Sequence, residues 1–459
     1  MKLVQIIYQV LWGDLFTIPL PGGSSMGISL LILLLIPAGL FFTIRTKFLP
    51  FRLFPEMLKI SVSKNTKQEE NSISGLQALI VSTATRVGMG NLVGVVAAIS
   101  AGGAGAIFWM WIIALLGSST AFVEGTLAQL YKEKDPLYGG YRGGPAYYMH
   151  ALFTKGKKRR YSLMAVLFAI SGLICWCGIS QVISNSVAST FENAFHIPPL
   201  YTTILLVILA ALIVLRKNAT VKVLDIIVPV MAGCFFFVTI FIILKNITLL
   251  PSVFERIFAE AFGFKQVAGG GLGAVVMNGA KRGLFSNEAG SGSAPCAAAA
   301  ADIDHPAKEG LLQSLGVFID TIVICSCSAM IMLLAPESLT KGLEGMELLE
   351  VAMNYHLGTF GVYFIAAVLW LFSFSTFIGI LFYARSNVAY LFGDNWVSQT
   401  AYKVLALVML FMGGLATYSF VWDLGDIGIG LMTIFNMIAL VPLAKEALSS
   451  LEDYEEKKK

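Results

Sequence analysis

Hydrophobic and polar positions along the 459-residue chain alternate on the scale of whole helices rather than of single residues. Apolar runs fall at 28–44, 73–101, 104–131, 162–190, 200–215, 222–245, 266–282, 308–334, 358–383, 399–419 and 426–445. Crossing the hydrocarbon core takes roughly 20 apolar residues, so the pattern predicts an all-α polytopic membrane protein of about eleven spans. Little chain is left for a soluble domain. The stretch 335–357 carries Leu343, Met346, Leu349 and Val351 at helical spacing, and it reads equally as a short amphipathic helix or a plain connection.

Two runs resist being regular helices. The run 73–101 has Val87-Gly88-Met89-Gly90-Asn91 in its middle, and glycine costs on the order of 1 kcal/mol relative to alanine in a helix interior. Backbone groups freed in lipid persist only where protein or a polar cavity takes them up. The run 266–282 opens on Gly269-Gly270-Gly271-Leu272-Gly273. With 28–44 set aside as an addition, ten helices remain, and the interrupted ones are the first and the sixth. Corresponding interruptions in two halves point to an inverted-repeat transporter with its binding site between the repeats. No residue-level similarity relates the halves; the argument is one of spacing. The competing reading is close helix packing through small residues, and Gly90 and Gly94 do form a GxxxG pair. The division that follows gives 1–72 to the added helix and its linker, 73–245 and 246–446 to two five-helix repeats, and 447–459 to a charged tail.

Charge supplies the orientation. Sorting the loops by alternate sides places nearly all lysine and arginine in one set, made of 45–72, 132–161, 216–222, 281–307, 384–398 and the Lys457-Lys458-Lys459 tail. The positive-inside rule makes that set cytoplasmic. The N-terminus is then outside and the C-terminus inside, in a prokaryotic inner or plasma membrane. Composition agrees: 57% hydrophobic, 13% charged, mean hydropathy +0.77, far from soluble norms. The net charge of +4 gives no reason to expect nucleic acid, and nothing calls for an obligate protein partner. Cys175, Cys177, Cys234, Cys296, Cys325 and Cys327 lie mostly in apolar runs, where small buried thiols are common, so neither a disulfide framework nor a metal centre is expected. The N-terminus lacks the basic and small-residue pattern of a secretory signal.

The glycine-broken motif resembles the alanine or glycine:cation symporter family. The likeness continues in Gly105-Ala106-Ile107-Phe108-Trp109-Met110-Trp111, Gly143-Gly144-Pro145-Ala146-Tyr147-Tyr148, Lys281-Arg282-Gly283-Leu284-Phe285-Ser286-Asn287-Glu288-Ala289-Gly290 and His305-Pro306, across most of the chain. It implies sodium-coupled uptake of a small neutral amino acid, alanine or glycine in class, on a LeuT-type 5+5 fold with one extra N-terminal helix. The Val-Gly-x-Gly-Asn run is also similar to the neurotransmitter:sodium symporters, which share that fold. Two departures bear on the substrate: Met89 stands where many family members have threonine, and Arg86 adds a charge beside the break. A larger or differently charged pocket favours glutamine over alanine.

A zwitterionic amino acid needs donors for its carboxylate and acceptors for its ammonium. N–H groups at a broken helix end supply the first, which assigns Met89, Gly90 and Asn91, with Gly88 beside them. Free carbonyls around Gly269, Gly270 and Gly273 supply the second. Gln181, Ser184 and Asn185 share one helix face; Ser184 and Asn185 read equally as interhelical glue, and the resemblance selects Gln181 as a ligand. Sodium needs several hard oxygens, so carbonyls at the first break and hydroxyls on a facing helix are its candidates. The LeuT-type resemblance sets Ser375 and Thr376 opposite the carbonyls of Ala84 and Val87, with Phe372 adding a carbonyl; hydroxyls bonding back to their own helix are the alternative. Trp370, one turn earlier, walls the pocket or simply packs.

Charges within spans face the interior and pair. Arg86, Glu124 and Asp320 fall in the cytoplasmic half on this topology, and an Arg86 ion pair with Glu124 or Asp320 reads as an inner gate or proton relay, or as a permanent structural pair. Lys281 and Arg282 read as lying at a cytoplasmic helix end with snorkelling heads. Gly88-Met89-Gly90 is followed by Gly94, one position late for a dinucleotide loop, and no GxxxxGK[ST] is present. The four scattered histidines form no metal-binding signature. No catalytic constellation is visible, so an enzyme is not expected, and no organic cofactor is implied. The alternatives to a sodium symporter are a proton-coupled carrier or exchanger, for which Glu124 and Asp320 are the carboxylates, a passive channel, and an amino-acid-sensing membrane receptor.

Overall fold

The computed structural model describes residues 2–19, 25–62, 74–154, 160–216, 220–263 and 272–458, and they are mostly helical. Helix α1 (Lys2–Trp12) leads into an antiparallel hairpin, Asp14–Pro19 with Ser25–Ser29. The Ser29 hydroxyl then accepts from the Ile32 N–H at 3.3 Å and caps α2 (Leu30–Arg45), satisfying one of the donors that every helix start leaves unpaired. A short helix α3 (Phe54–Val62) follows. The next element, α4, is composite: Gly75–Thr85, a π-helical stretch Arg86–Gly94, and Val95–Gly102. It stops at Gly103, whose φ of 68° suits glycine. Helix α5 (Gly105–Leu130) begins at once; the N–H groups of Ala104 and Gly105 are taken by the Glu260 carboxylate at 2.6 and 3.3 Å.

Helices α6 (Pro145–Thr154), α7 (Leu163–Phe195), α8 (Pro199–Val214), α9 (Thr220–Lys245) and α10 (Leu250–Ala261) precede α11 (Leu272–Asn287). Helix α12 (Pro306–Leu333) carries a second π-helical stretch, Phe318–Cys325. The chain closes with α13 (Met346–Leu357), α14 (Thr359–Phe392), α15 (Trp396–Gly414) and α16 (Tyr418–Lys458). Among the described residues seven helices are long and apolar enough to cross a membrane, and three shorter apolar ones accompany them. Each apolar run read from the sequence carries a helix over most of its described residues, and the 335–357 stretch is helical over Met346–Leu357. The tail 447–458 is not separate: it continues α16 without a break.

Glycine lets the backbones touch. A Cβ on Gly178 of α7 would lie 2.3 Å from the Gly425 nitrogen of α16, and one on Gly310 of α12 would lie 2.6 Å from the Phe122 carbonyl of α5. With no water to expel between helices in lipid, such close approach is what holds a bundle together.

One expectation is corrected at Gly273 alone. Gly269 and Gly270 lie outside the described residues, and Gly273 sits in the regular helix α11. The second interruption comes later, after Asn287, where Glu288, Gly290 and Gly292 take φ of 57°, 90° and 85° before a one-turn helix at Pro295–Ala298. A turn of this kind needs left-handed backbone, which glycine adopts without steric cost. Residues 288–301 are all buried, the condition on which irregular backbone survives inside a membrane protein.

Candidate functional site

The first break is a π-helical turn rather than a gap. π-bulges recur at functional sites because they displace one residue's backbone from the regular ladder. Gly88 lies against α14: a Cβ there would sit 2.1 Å from the Thr376 hydroxyl and 3.5 Å from the Phe372 carbonyl. Thr376 accepts from the Met89 N–H at 3.2 Å, and Ser375 donates back to the Phe372 carbonyl at 2.9 Å. The Ser373 hydroxyl lies 3.3 Å from the Met89 sulfur. The structure thus gathers Gly88, Met89, Phe372, Ser375 and Thr376 at one spot. Ala84 is the last residue but one of the α-helical part of α4, and Val87 lies in the π-helical stretch. The amides are not idle as the sequence reading supposed: Gly88 N–H goes to Asn91 Oδ1 at 3.0 Å and Met89 N–H to Thr376.

On its other side the break meets α11 and α12. A Cβ on Gly90 would come within 2.9 Å of Ser286 Cα. Asn91 Nδ2 donates to the Asp320 carboxylate at 2.8 Å and to its carbonyl at 2.9 Å. Ser286 and Thr321 donate to the other carboxylate oxygen at 2.9 and 2.7 Å. Asp320 therefore sits beside the break, inside a shell of amide and hydroxyl groups, with the two π-helical stretches face to face.

Among the described residues no ion pair joins Arg86 to Glu124 or Asp320, so the pairing expected from the sequence is not made here. Arg86 is fully buried; its Nη1 donates to the Gln313 carbonyl at 3.3 Å, and its Nε and Nη2 have no partner. Glu124 instead holds the second interruption. Its Oε2 accepts from Gly290 N–H at 2.9 Å and its Oε1 from Asn436 at 2.5 Å, while Asn436 also donates to the Gly290 carbonyl and accepts from Tyr148. Local hydrogen bonds to loop backbone have won over pairing with a distant guanidinium.

Lys281 and Arg282 do not snorkel. Because α11 runs on to Asn287, they fall within the helix and are buried. Arg282 holds Asp426 of α16 through both prongs, at 3.1 and 2.9 Å, and Lys281 reaches the same carboxylate at 3.1 Å. The guanidinium stacks 3.9 Å over the Trp422 ring, which packs on Phe285 at 4.9 Å. Phe285 directly precedes Ser286, so this ion-paired layer lies one turn of α11 beyond the Asp320 cluster. The sequence reading missed it by ending the span at 282; a charged residue at the edge of the 426–445 run was the available signal.

Gln181 is buried with its amide oxygen unpartnered. Asn185 donates to the carbonyls of Gly413 and Ala416 at 3.2 and 2.7 Å, and Ser184 bonds back to its own helix. Trp370 is half-buried in an aromatic stack, 5.0 Å from Phe191 and 5.6 Å from Phe374. Gly273 is not part of this site: it precedes Ser286 by thirteen residues, roughly 20 Å along a helix. Beyond the Gly103 end of α4 lies a polar cavity of about 690 Å³, lined by Arg256, Glu260, Glu337, Lys341 and Glu344.

Residues 22–459 match the sodium:alanine symporter family. The chain belongs to that family. Among relatives, the probable sodium/glutamine symporter GlnT of Bacillus subtilis is 43% identical over 94% of this chain and 88% of its own. The amino-acid carrier protein AlsT of the same organism is 41% identical over 94% and 90%. Of solved structures, MhsT in complex with L-phenylalanine superposes with a TM-score of 0.59 at 14% identity, covering 83% of this chain and 93% of that one. The fold of this sodium:alanine symporter family member is accordingly LeuT-type. It is a multi-pass membrane protein and an amino-acid symporter, not an enzyme.

Proposed function

We propose that this symporter imports a small neutral amino acid together with sodium, from an N-terminal side facing outward to a basic, C-terminal side facing the cytoplasm. The observation that carries the reading is the meeting of the first break with the α14 hydroxyls on one side and with the Asp320 cluster on the other. Sodium, as cargo, takes the carbonyls of Ala84, Val87 and Phe372 with the hydroxyls of Ser375 and Thr376; small movements of α4 against α14 release Thr376 from the Met89 N–H for this purpose. The amino acid lies against Gly88, Met89, Gly90 and Asn91. Gln181 supplies its idle amide oxygen to the substrate ammonium, and Trp370 bounds the space beside Phe374. Against the expectation drawn from the sequence, the methionine at 89 is buried and fills room beside Ser373, which favours alanine and glycine over glutamine. Asp320, with three hydrogen-bond donors around it, is the group on which a proton-coupled mode would rest.

The test is uptake of radiolabelled alanine, glycine and glutamine into proteoliposomes under an imposed sodium gradient, with potassium as control. Accumulation with sodium alone, lost in Ser375→Ala plus Thr376→Ala, is expected. Uptake indifferent to sodium but driven by a pH gradient, and lost in Asp320→Asn, would move the coupling from sodium to protons.

A further inference from the structure

The N-terminal helix α1 has no place in the account so far, yet it touches both sides of the ion-paired layer. Lys281 and Arg282 bring two cations to the single carboxylate of Asp426, all three buried. An excess positive charge out of water needs further compensation. Part comes from Asp423, a half-exposed carboxylate that acts electrostatically on Lys281. The Trp422 face beneath the Arg282 guanidinium adds to this, and α1 adds more. Lys281 Nζ donates to the Tyr8 hydroxyl at 2.5 Å and lies 5.0 Å above that ring and 5.9 Å from the Trp12 ring, a distance at which aromatic faces attract cations. Trp12 Nε1 meanwhile donates to the backbone carbonyl of Asp426 at 3.0 Å. Room for this is left by Gly430 of α16, where a Cβ would meet Leu11 at 3.1 Å and the Trp12 nitrogen at 3.4 Å. One helix of α1's length therefore bonds α11 through Tyr8 and α16 through Trp12.

We propose that α1 is a latch across the outer gate, with Tyr8 and Trp12 as positioning residues that favour the closed pairing of Arg282 with Asp426. The inference rests on the transport reading above, including its orientation. Opening a site beneath this layer toward the N-terminal side requires α11 and α16 to part, and α1 cannot keep both its bonds when they do. External substrate binds only the open form, so its apparent affinity is reduced by the fraction of carriers that are closed. Weakening the latch raises that fraction of open carriers. Loss of a hydrogen bond to a charged group, as in Tyr8→Phe, should lower the KM for external amino acid by roughly three- to tenfold. Maximal rate per carrier should stay level or fall, since closing over substrate becomes slower.

The experiment is initial-rate uptake from the medium into intact cells, with carrier amount measured at the surface, for wild type, Tyr8→Phe and Trp12→Phe. A fall in KM in both variants is the expected result. Damage to folding alone would reduce surface amount and rate with KM unchanged, and that outcome overturns the latch. A second measurement ties the effect to the contact: in a Lys281→Met background, Tyr8→Phe should change KM no further, because the pair couples only through that bond. Full additivity would also overturn it. Should the wild type carry none of the amino acids offered, the transport reading fails separately, and hydrogen exchange of residues 278–287 and 422–430 still tests the latch. Faster exchange there in Tyr8→Phe supports it; identical exchange sinks it.

Discussion

Two buried arginines, Arg282 and Arg86, flank the broken segment Gly88 to Asn91 and are treated in opposite ways. Arg282 spends both prongs on Asp426 and its face on Trp422. Arg86 makes one long bond to a carbonyl and leaves two nitrogens unpartnered, although it acts electrostatically on Glu124, Glu288, Glu309 and Asp320. Idle acceptors accumulate in the same part of the molecule: Glu288 Oε2, Glu309 Oε2 and Gln313 Oε1. A buried polar group without a partner costs about 1–3 kcal/mol, so natural structures keep few of them and keep them where something happens. The Arg282 layer is a hydrogen-bonded and ion-paired network, whereas the Arg86 region holds charged and amide groups that bond little to one another.

The comparison breaks most readily through stability. Arg282→Met removes the two-pronged bond to Asp426 and the contact with Trp422 but leaves Asp426 paired with Lys281, so the loss should be about 1.5–3 kcal/mol, the range for a hydrogen bond to a charged group. Arg86→Met removes a single bond to a neutral carbonyl and should cost about 1 kcal/mol. Thermal unfolding of the two variants in detergent should separate them clearly. Equal losses would mean that Arg86 is held by more than its one visible bond, and the contrast between the layers would fall.

Smaller in stability but decisive for transport is the hinge between the layers. Gly88→Ala drives a methyl to within 2.1 Å of the Thr376 hydroxyl. Overpacking of that kind costs roughly 1–3 kcal/mol, and here it also separates α4 from the proposed ion site. Uptake should drop below detection while the protein still folds. Gly94→Ala is the matched control, since its Cβ would find its nearest neighbour, Phe285, at 3.9 Å. That variant should transport at close to the wild-type rate. If it failed as badly as Gly88→Ala, the GxxxG packing reading of this segment would return.

How much of this was legible in the sequence follows from what each signal encodes. Helix positions were, because burial in lipid demands about 20 apolar residues and the chain obeys. The break at Gly88 to Asn91 was, because glycine and asparagine inside a span have few other uses. The turn at 288–292 was missed: the louder glycine run, Gly269 to Gly273, lies largely outside the described residues, while this turn uses Glu288 at φ 57°, a residue type that announces nothing. That error moved the helix end and hid Lys281, Arg282 and their partner Asp426. Pairings such as Asn91 with Asp320 join residues 229 apart, and no periodicity along one chain specifies them. The helix at Lys2–Trp12 went unread since, at 11 residues, it is too short to register as a span.

The smallest expected effect sharpens the comparison from outside the bundle. The end of α16 docks on α3 through Glu56, which accepts from Tyr454 at 2.7 Å and from Lys458 at 2.5 Å. Burial pushes the Glu56 carboxyl up, but the bonds from Lys458 and Tyr454 outweigh it and hold the group below its ordinary 4.5. A carboxyl depressed in the folded state contributes its stability above the unfolded value and loses it as pH falls through the folded one. Docking of residues 446–458 should therefore be constant from neutral pH down to the unfolded value and weaken only in more acidic buffer. Its size is that of a partly exposed pair, about 0.5 kcal/mol, and about 0.5 M salt should screen most of it. Hydrogen exchange of the α16 terminus at neutral and acid pH, at low and high salt, measures this. The Arg282 layer, closed off from water, should ignore the same salt. A terminus that failed to respond to salt, or an Arg282 layer that loosened with it, would show that the burial difference between the two networks does not govern their strength.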